Sequence, residues 1–241
     1  MPQHERDTPS RADDLSALIA AIQRRWGDHA IQRGVEREAP ALLPTGIAAL
    51  DELLGGGYPR GAITELLGAP TSGTTTIALT ALAQAQVCGE GCAYIDLGGH
   101  FGAEYAAACG VDLAALALVR PASAIDALAI VEALVTHHVG VVIIHTLDVL
   151  DAARARQDLA GGLRRLARAL PASPSVLLVV TALPNAVAHD GGTRHSMLGS
   201  LAALRLGIVR DGWQLADPRS PVCHARVTVL RRRRAAAGGA C

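Results

Sequence analysis

The sequence predicts a three-layer α/β domain, with a mainly parallel central sheet and an antiparallel edge hairpin near its C-terminal end. Short, continuous apolar runs alternate with longer helix-like stretches between residues 62 and 182. A glycine-bearing loop, Gly68 to Thr75, joins the first run to the first stretch. After Pro184 the alternation stops and two further apolar runs flank a turn. Strands buried on both faces of a parallel sheet read as continuous apolar runs, whereas strands with one wet face alternate.

Residues 1–12 are polar and of mixed charge, and are expected to be a disordered start. From Asp14 to Arg25, Leu15, Leu18, Ile19 and Ile22 fall on one helical face, with Asp13 or Asp14 as the expected cap. The segment Trp26 to Gly34 has Ile31 at its apolar centre. Residues 13–40 therefore read as an N-terminal helix and strand, ahead of a core at 41–234 and a tail at 235–241. Pro40 and Pro44 punctuate a loop, Leu50 to Leu54 reads as a short helix, and Gly55-Gly56-Gly57 ends it. The alternation then runs strand 62–67, helix 74–87, strand 92–97, helix 102–109, strand 115–119, helix 122–137, strand 139–145, helix 154–169, strand 175–182. Residues 184–195 read as a mobile loop. Runs 202–210 and 224–231, around a turn near Asp217-Pro218, form the hairpin.

Half of the 241 residues are hydrophobic, enough for one domain with a substantial core. No apolar run is long and charge-free enough to span a bilayer. The polar start, Met1 to Asp14, lacks the pattern of a signal peptide. The cysteines, Cys88, Cys92, Cys109, Cys223 and Cys241, form no CxxC pair, so reduced thiols are expected and a metal site is not. The formal charge is zero, which gives no overall steering toward nucleic acid. All 22 basic residues are arginine. With the high Ala and Gly content this reads as a GC-rich coding bias, under which a lost lysine would be expected to become arginine.

The most informative stretch is Gly68-Ala69-Pro70-Thr71-Ser72-Gly73-Thr74-Thr75, followed by Thr76. It keeps the frame G-x-x-x-x-G-K-[ST] of a phosphate-binding loop, in the strand–loop–helix context that the motif needs, but Thr74 stands at the lysine position. Gly68 and Gly73 allow the tight turn, amides at the helix start can point at an anion, and Thr75 sits where a hydroxyl would meet Mg²⁺. The bias explains a missing lysine but not a missing charge. The competing reading is a loop that survives only as a tight turn.

Thr45-Gly46-Ile47-Ala48-Ala49-Leu50-Asp51, then Gly55-Gly56-Gly57 and Pro59-Arg60-Gly61, resemble the approach to the nucleotide site in the RecA family. Tyr94-Ile95-Asp96 resembles the second core strand of that family, and Tyr105 to Asp112 the segment after it. Leu15 to Gly34 is similar to the helix and strand by which RecA subunits grip their neighbours, so Leu18, Ile22, Trp26 and Ile31 are the candidate oligomer contacts. The resemblance covers roughly residues 14–234, and implies that the separate C-terminal domain of RecA is absent. A short RecA-like core with degenerate nucleotide motifs is most similar to the ImuA (SulA-like) family, SOS-induced mutasome accessory proteins.

The resemblance implies a place for each part of an ATPase site. Phosphoryl transfer needs charge neutralisation, a held Mg²⁺ and a positioned water. The strand that should end in the Mg²⁺-orienting acid ends in His145, followed by Thr146, with Asp148 beyond. The position of the water-activating carboxylate is Gly98, and Glu104 is the next acid, expected on the following helix. With Thr74, these substitutions predict no catalytic residues and no useful hydrolysis. No cofactor is required on this reading; ATP or ADP is allowed as a weak or structural ligand.

In RecA two loops after later core strands hold single-stranded DNA. Their counterparts here are roughly residues 148–159, with Arg154 and Arg156, and residues 184–196, with His189, Arg194 and His195. Neither contains an aromatic residue to stack a base, so DNA contact is expected to be weak and salt-sensitive. Arg231, Arg232, Arg233 and Arg234 form the strongest basic run, read either as a DNA or partner contact or as a solvated tail. Arg164, Arg165 and Arg168 read as a solvated helix face. His137-His138 closes a helix, Trp26 is expected in an N-terminal interface, and Trp213 in the hairpin.

The expected function is a non-catalytic accessory protein of SOS-linked translesion synthesis, bridging RecA and the polymerase subunits of the mutasome. Self-association is allowed, no membrane is involved, and the expected location is the cytoplasm, with or without nucleoid association. The alternatives are an ATP-binding recombinase paralogue acting on single-stranded DNA and a SulA-like inhibitor of cell division.

Overall fold

The computed structural model describes residues 11–26, 41–146, 153–182, 197–214 and 222–233. By contact the chain divides into two compact units, residues 1–39 and 40–241. In the first, α1 spans Arg11–Trp26. It begins before the expected cap and takes in the end of the expected disordered start. Asp13 and Asp14 therefore lie within the helix rather than at its cap. Leu18 is exposed and Ile22 half-buried. The expected strand with Ile31, and the side chain of Trp26, lie outside the described residues.

The second unit carries, in chain order, β1 (Leu42–Leu43), α2 (Ala48–Leu54), β2 (Tyr58–Pro59), β3 (Ala62–Gly68), α3 (Thr74–Val87), β4 (Cys92–Asp96) and α4 (Ala103–Ala108). There follow β5 (Leu116–Val119), α5 (Ala124–Thr136), β6 (Val141–His145), α6 (Ala153–Ala169), β7 (Val176–Ala182), α7 (Met197–Leu201), β8 (Leu204–Gln214) and β9 (Val222–Arg232). β1 and β2 pair with each other. The remaining strands form one sheet in the order β5-β4-β6-β7-β3-β8-β9. Every pairing in it is parallel except that of β8 with β9. The mainly parallel three-layer architecture and its antiparallel edge hairpin are those the sequence predicts. Both hairpin strands run longer than expected, and the turn at Asp217-Pro218 lies outside the described residues.

The layers follow from side-chain alternation along each buried strand. On one face Leu66, Tyr94, Ile143, Leu178 and Leu206 pack beneath α2 and α3. On the other, Ile63, Ile95, Ile144 and Val179 pack beneath α5, α6 and α7. Each such side chain, fully buried, contributes about 1.5–3 kcal/mol. Alanines at 78, 81, 83 and 85 on the buried side of α3 let that helix lie close to the sheet. α5 begins at a reciprocal cap: Ser123 Oγ accepts from the Asp126 amide at 3.1 Å and donates to Asp126 Oδ2 at 2.7 Å.

An ion pair sits inside this sheet. Glu65 on β3 lies opposite Arg205 on β8, with Arg205 Nε donating to Glu65 Oε2 at 2.6 Å. Both side chains are within 5% of full burial. Thr181 on β7 donates to the second carboxylate oxygen at 3.2 Å. The pair therefore pins the strand that carries the glycine loop to both of its neighbours.

The arginine run needs correction. It is not a tail after the last strand, because Arg231 and Arg232 lie within β9. The Arg231 guanidinium donates to the Gly199 carbonyl in α7, and that of Arg232 to the Leu54 carbonyl ending α2, at 2.8 Å. The Arg233 amide donates to the Ala203 carbonyl at 2.6 Å. Two of these charges thus serve carbonyls near helix ends, which suits the helix dipole. Arg154 and Arg156 lie in α6 rather than in a loop. Arg194, Arg234, His189, His195 and Asp148 lie outside the described residues.

Candidate phosphate loop and neighbouring strand ends

In an open parallel sheet, ligands sit outside the carboxyl ends of the strands, where the order of connections reverses. The chain leaves β3, passes over two strands to reach β4, and later returns through β6 and β7 to the flank of β3. Gly68, His145 and Asp96 end β3, β6 and β4 at this one edge.

The loop begins at Gly68, which is in register with Ala182 of β7 and Ile208 of β8. A Cβ on Gly68 would lie 2.2 Å from Ser72 Oγ and 2.8 Å from both the Ile208 carbonyl oxygen and Thr74 Cγ2. The loop therefore curls so tightly over its first residue that only glycine fits. The Ser72 amide closes the curl on the Ala69 carbonyl at 3.0 Å. Gly73, at φ +103°, takes the left-handed turn into α3. The Ile77 amide binds the Gly73 carbonyl at 3.0 Å, which leaves the amides of Thr74, Thr75 and Thr76 as the unpaired start of the helix.

The loop's own side chains are uncharged, and Arg210 Nη1 donates to Thr71 Oγ1 at 3.0 Å. Ser72 and Thr74 are buried, and Thr75 and Thr76 half-buried. The Ser72 hydroxyl has no hydrogen-bond partner among the described residues. Thr76 Oγ1 and the Tyr105 hydroxyl lie 2.6 Å apart, tying α3 to α4. The Thr45-Gly46 motif has a structural use. The Thr45 amide donates to Asp51 Oδ1 at 2.7 Å, and Gly46 passes so close to α3 that a Cβ would meet Thr80 Cγ2 at 2.9 Å.

At the other strand ends, Asp96 and His145 are register partners, and the Leu97 amide extends the pairing to the His145 carbonyl at 2.8 Å. Gly98 follows one residue later. A Cβ placed there would fall 2.1 Å from Nδ1 and 2.2 Å from Cε1 of His100. The His100 imidazole thus fills the path that any side chain at position 98 would take. It stands edge-on to His145, with ring centres 5.9 Å apart, and His145 in turn lies 6.0 Å from Tyr94.

Asp96 is buried, and its carboxylate accepts from the amides of His100 at 2.8 Å and Phe101 at 3.3 Å, and from Arg120 Nε at 3.2 Å. Burial opposes its ionisation, but these donors outweigh burial and hold its pKa below the usual aspartate value. The opposite shift occurs at Tyr94, where burial first and the Asp96 charge second push the phenol above its ordinary range. Asp96 therefore organises the turn that carries Gly98 and His100. Glu104 lies in the first turn of α4.

Sequence reasoning missed His100, Glu65 with Arg205, and Arg210. A charged residue in each of two apolar runs was the available sign of the Glu65–Arg205 pair. Nothing in the pattern around Gly98 distinguishes a histidine that folds back on it. Among the described residues, no cluster of three or more His, Cys, Asp or Glu is placed to hold a metal ion. Among them, too, no helix is long and apolar enough to cross a membrane.

The sequence pattern of the RecA N-terminal domain matches residues 13–173. The chain is 33% identical to Protein RecA of Chlorobaculum tepidum over 244 residues, covering 89% of this chain and 70% of that protein. It is 33% identical to Protein RecA of Chloroflexus aurantiacus over 228 residues, covering 84% and 64%. A shorter match to Protein RecA of Paenarthrobacter aurescens reaches 43% over 131 residues, covering 53% and 38%. Architecture, loop and sequence agree, and the chain belongs to the RecA family.

Proposed function

We propose that this chain is a non-hydrolysing RecA-family protein that serves DNA repair by contact rather than by catalysis. One observation carries the reading: Thr74, His145 and Gly98 meet at the carboxyl edge of one sheet, and two of the three positions are linked through His100. Residues at that edge would have to neutralise phosphate charge, orient Mg²⁺ and activate water. In their place stand a buried hydroxyl, a half-buried imidazole and a glycine whose side-chain space is taken. Losing one electrostatic element of a transition-state site typically costs about 10²–10³ in rate. On this reading no cofactor is required, and a nucleotide is at most a weak or structural ligand.

The finer proposal is an ImuA-like accessory role in translesion synthesis, bridging RecA and mutasome polymerase subunits. It rests on likeness to that family and on the RecA-type N-terminal segment. Two assays test the whole reading. ATP turnover with Mg²⁺ and single-stranded DNA should stay at background; turnover at a rate typical of an active RecA would establish the recombinase alternative instead. Pull-down with purified RecA and the mutasome polymerase subunits should recover a complex, and failure with every partner would sink the bridging role. Loss of filament assembly by the division GTPase in a purified mixture would favour the SulA-like alternative.

A further inference from the structure

The charge missing at position 74 has a neighbour in space. β8 does not stop where β3 stops: Ile208 pairs with Gly68, and the strand continues past the loop to Gln214. Side chains two residues apart on a strand share a face, and Ile208 belongs to the core beneath α3. Arg210, two residues on, is therefore carried over the α3 side of the sheet beside the curl. Its Nη1 donates to Thr71 Oγ1 at 3.0 Å. The partner strand crosses the same place, with Ala225 opposite Arg210 and 3.8 Å from where a Gly73 Cβ would stand.

We propose that Arg210 acts as the cation of the loop, so that Gly68–Thr75 binds a phosphate-anhydride group although position 74 is threonine. The inference deepens the non-hydrolysing reading and rests on it. Independent features meet here. The amides of Thr74, Thr75 and Thr76 open a 14-residue helix and attract an anion. The Ser72 hydroxyl, on a residue only 2% exposed, has no partner among the described residues and lies on the inner side of the curl beside Gly68. A buried hydroxyl left unpaired costs stability, and an anion seated in the curl would satisfy it. Arg210 is exposed and held against the loop by the Thr71 hydroxyl, so its planar donors are in place before any ligand arrives. A cation supplied from β8 can bind an anion but does not stand at the position from which lysine follows a transferring phosphoryl group.

The test is calorimetric titration of the full chain with pyrophosphate and, separately, with ADP. Pyrophosphate binding supports the assignment of the phosphate-anhydride group as the ligand, and binding of ADP alone would overturn it in favour of a site led by the base. Arg210→Gln, an exposed change that should leave thermal unfolding unaltered, is expected to weaken pyrophosphate binding about tenfold. Arg210→Lys should recover part of that loss. Thr74→Lys in the Arg210→Gln background should restore affinity, because one cation replaces the other. Failure of pyrophosphate to bind, or equal affinity in wild type and Arg210→Gln, would overturn the proposal and leave the non-hydrolysing reading intact. Rapid ATP turnover by the wild type would overturn that reading, while the Arg210→Gln titration still decides the role of Arg210.

Discussion

Two stretches of the same sheet edge have been treated differently. At the end of β3 the backbone is tight: glycine at 68, a left-handed glycine at 73 and a hydroxyl folded inside. At the ends of β4 and β6 it is side chains that define the edge, and aromatic and imidazole rings fill the space. A binding function written in the main chain survives as long as the fold does, since its donors are peptide groups held by the strand and helix themselves. A catalytic function written in side chains is more fragile, since a few substitutions are enough to remove it.

The comparison breaks first if the loop is not rigidly supported from below. Glu65→Leu leaves Arg205 buried without its carboxylate, and is expected to cost about 4 kcal/mol of unfolding free energy in urea. A cost below about 1 kcal/mol would show that the pair does not pin β3. Within the loop, Gly68→Ala drives a methyl group against a backbone carbonyl that cannot move aside. About 3 kcal/mol is expected, whereas a neutral outcome in the same denaturation would mean that the curl is loose.

On the other side, Asp96 is the polar group that holds the turn. Asp96→Asn keeps the shape but removes the charge its donors face, at a cost on the order of 2 kcal/mol near neutral pH. The pH dependence follows from its lowered pKa. A depressed folded-state value contributes stability that is present above the unfolded aspartate pKa of about 3.9 and is lost as pH falls through the lower folded value. The gap between wild type and Asp96→Asn in urea midpoint should therefore be wide at pH 6 and narrow below pH 3. A constant gap would show that the carboxylate is not held ionised by the turn.

The fold was legible because continuous apolar runs, glycine punctuation and the loop frame all act locally, and local patterns survive in one dimension. The positions of Thr74 and Gly98 at the strand ends were legible for the same reason. What sequence could not supply was pairing across the sheet. Glu65 and Arg205 are 140 residues apart, and only the strand order brings them face to face. The arginines of β9 left a contact and a solvated tail equally open, because a run of like charge on an edge strand looks the same as a run in solution until their carbonyl partners on α2 and α7 are in view. Arg210 escaped notice because it is 139 residues from its partner Thr71 and near the loop only in space.

The finest test concerns whether the site at β4 and β6 has been repacked as a unit. Gly98→Ala alone should destabilise by about 1 kcal/mol, since the new methyl meets the His100 ring, which is the far end of a movable side chain rather than backbone. His100→Ala opens the space that the methyl needs. In the double variant the methyl should then cost almost nothing, so a double-mutant cycle should return a coupling of about 1 kcal/mol. Additivity would mean that His100 does not hold the space at position 98, and that the two strand-end positions are packed independently. Coupling makes them one packed cluster, in which placing an acid at 98 requires His100 to leave and so disturbs His145 as well. A single Gly98→Glu substitution would then fail to seat its carboxylate at this strand end, because the His100 ring holds the space the new side chain needs.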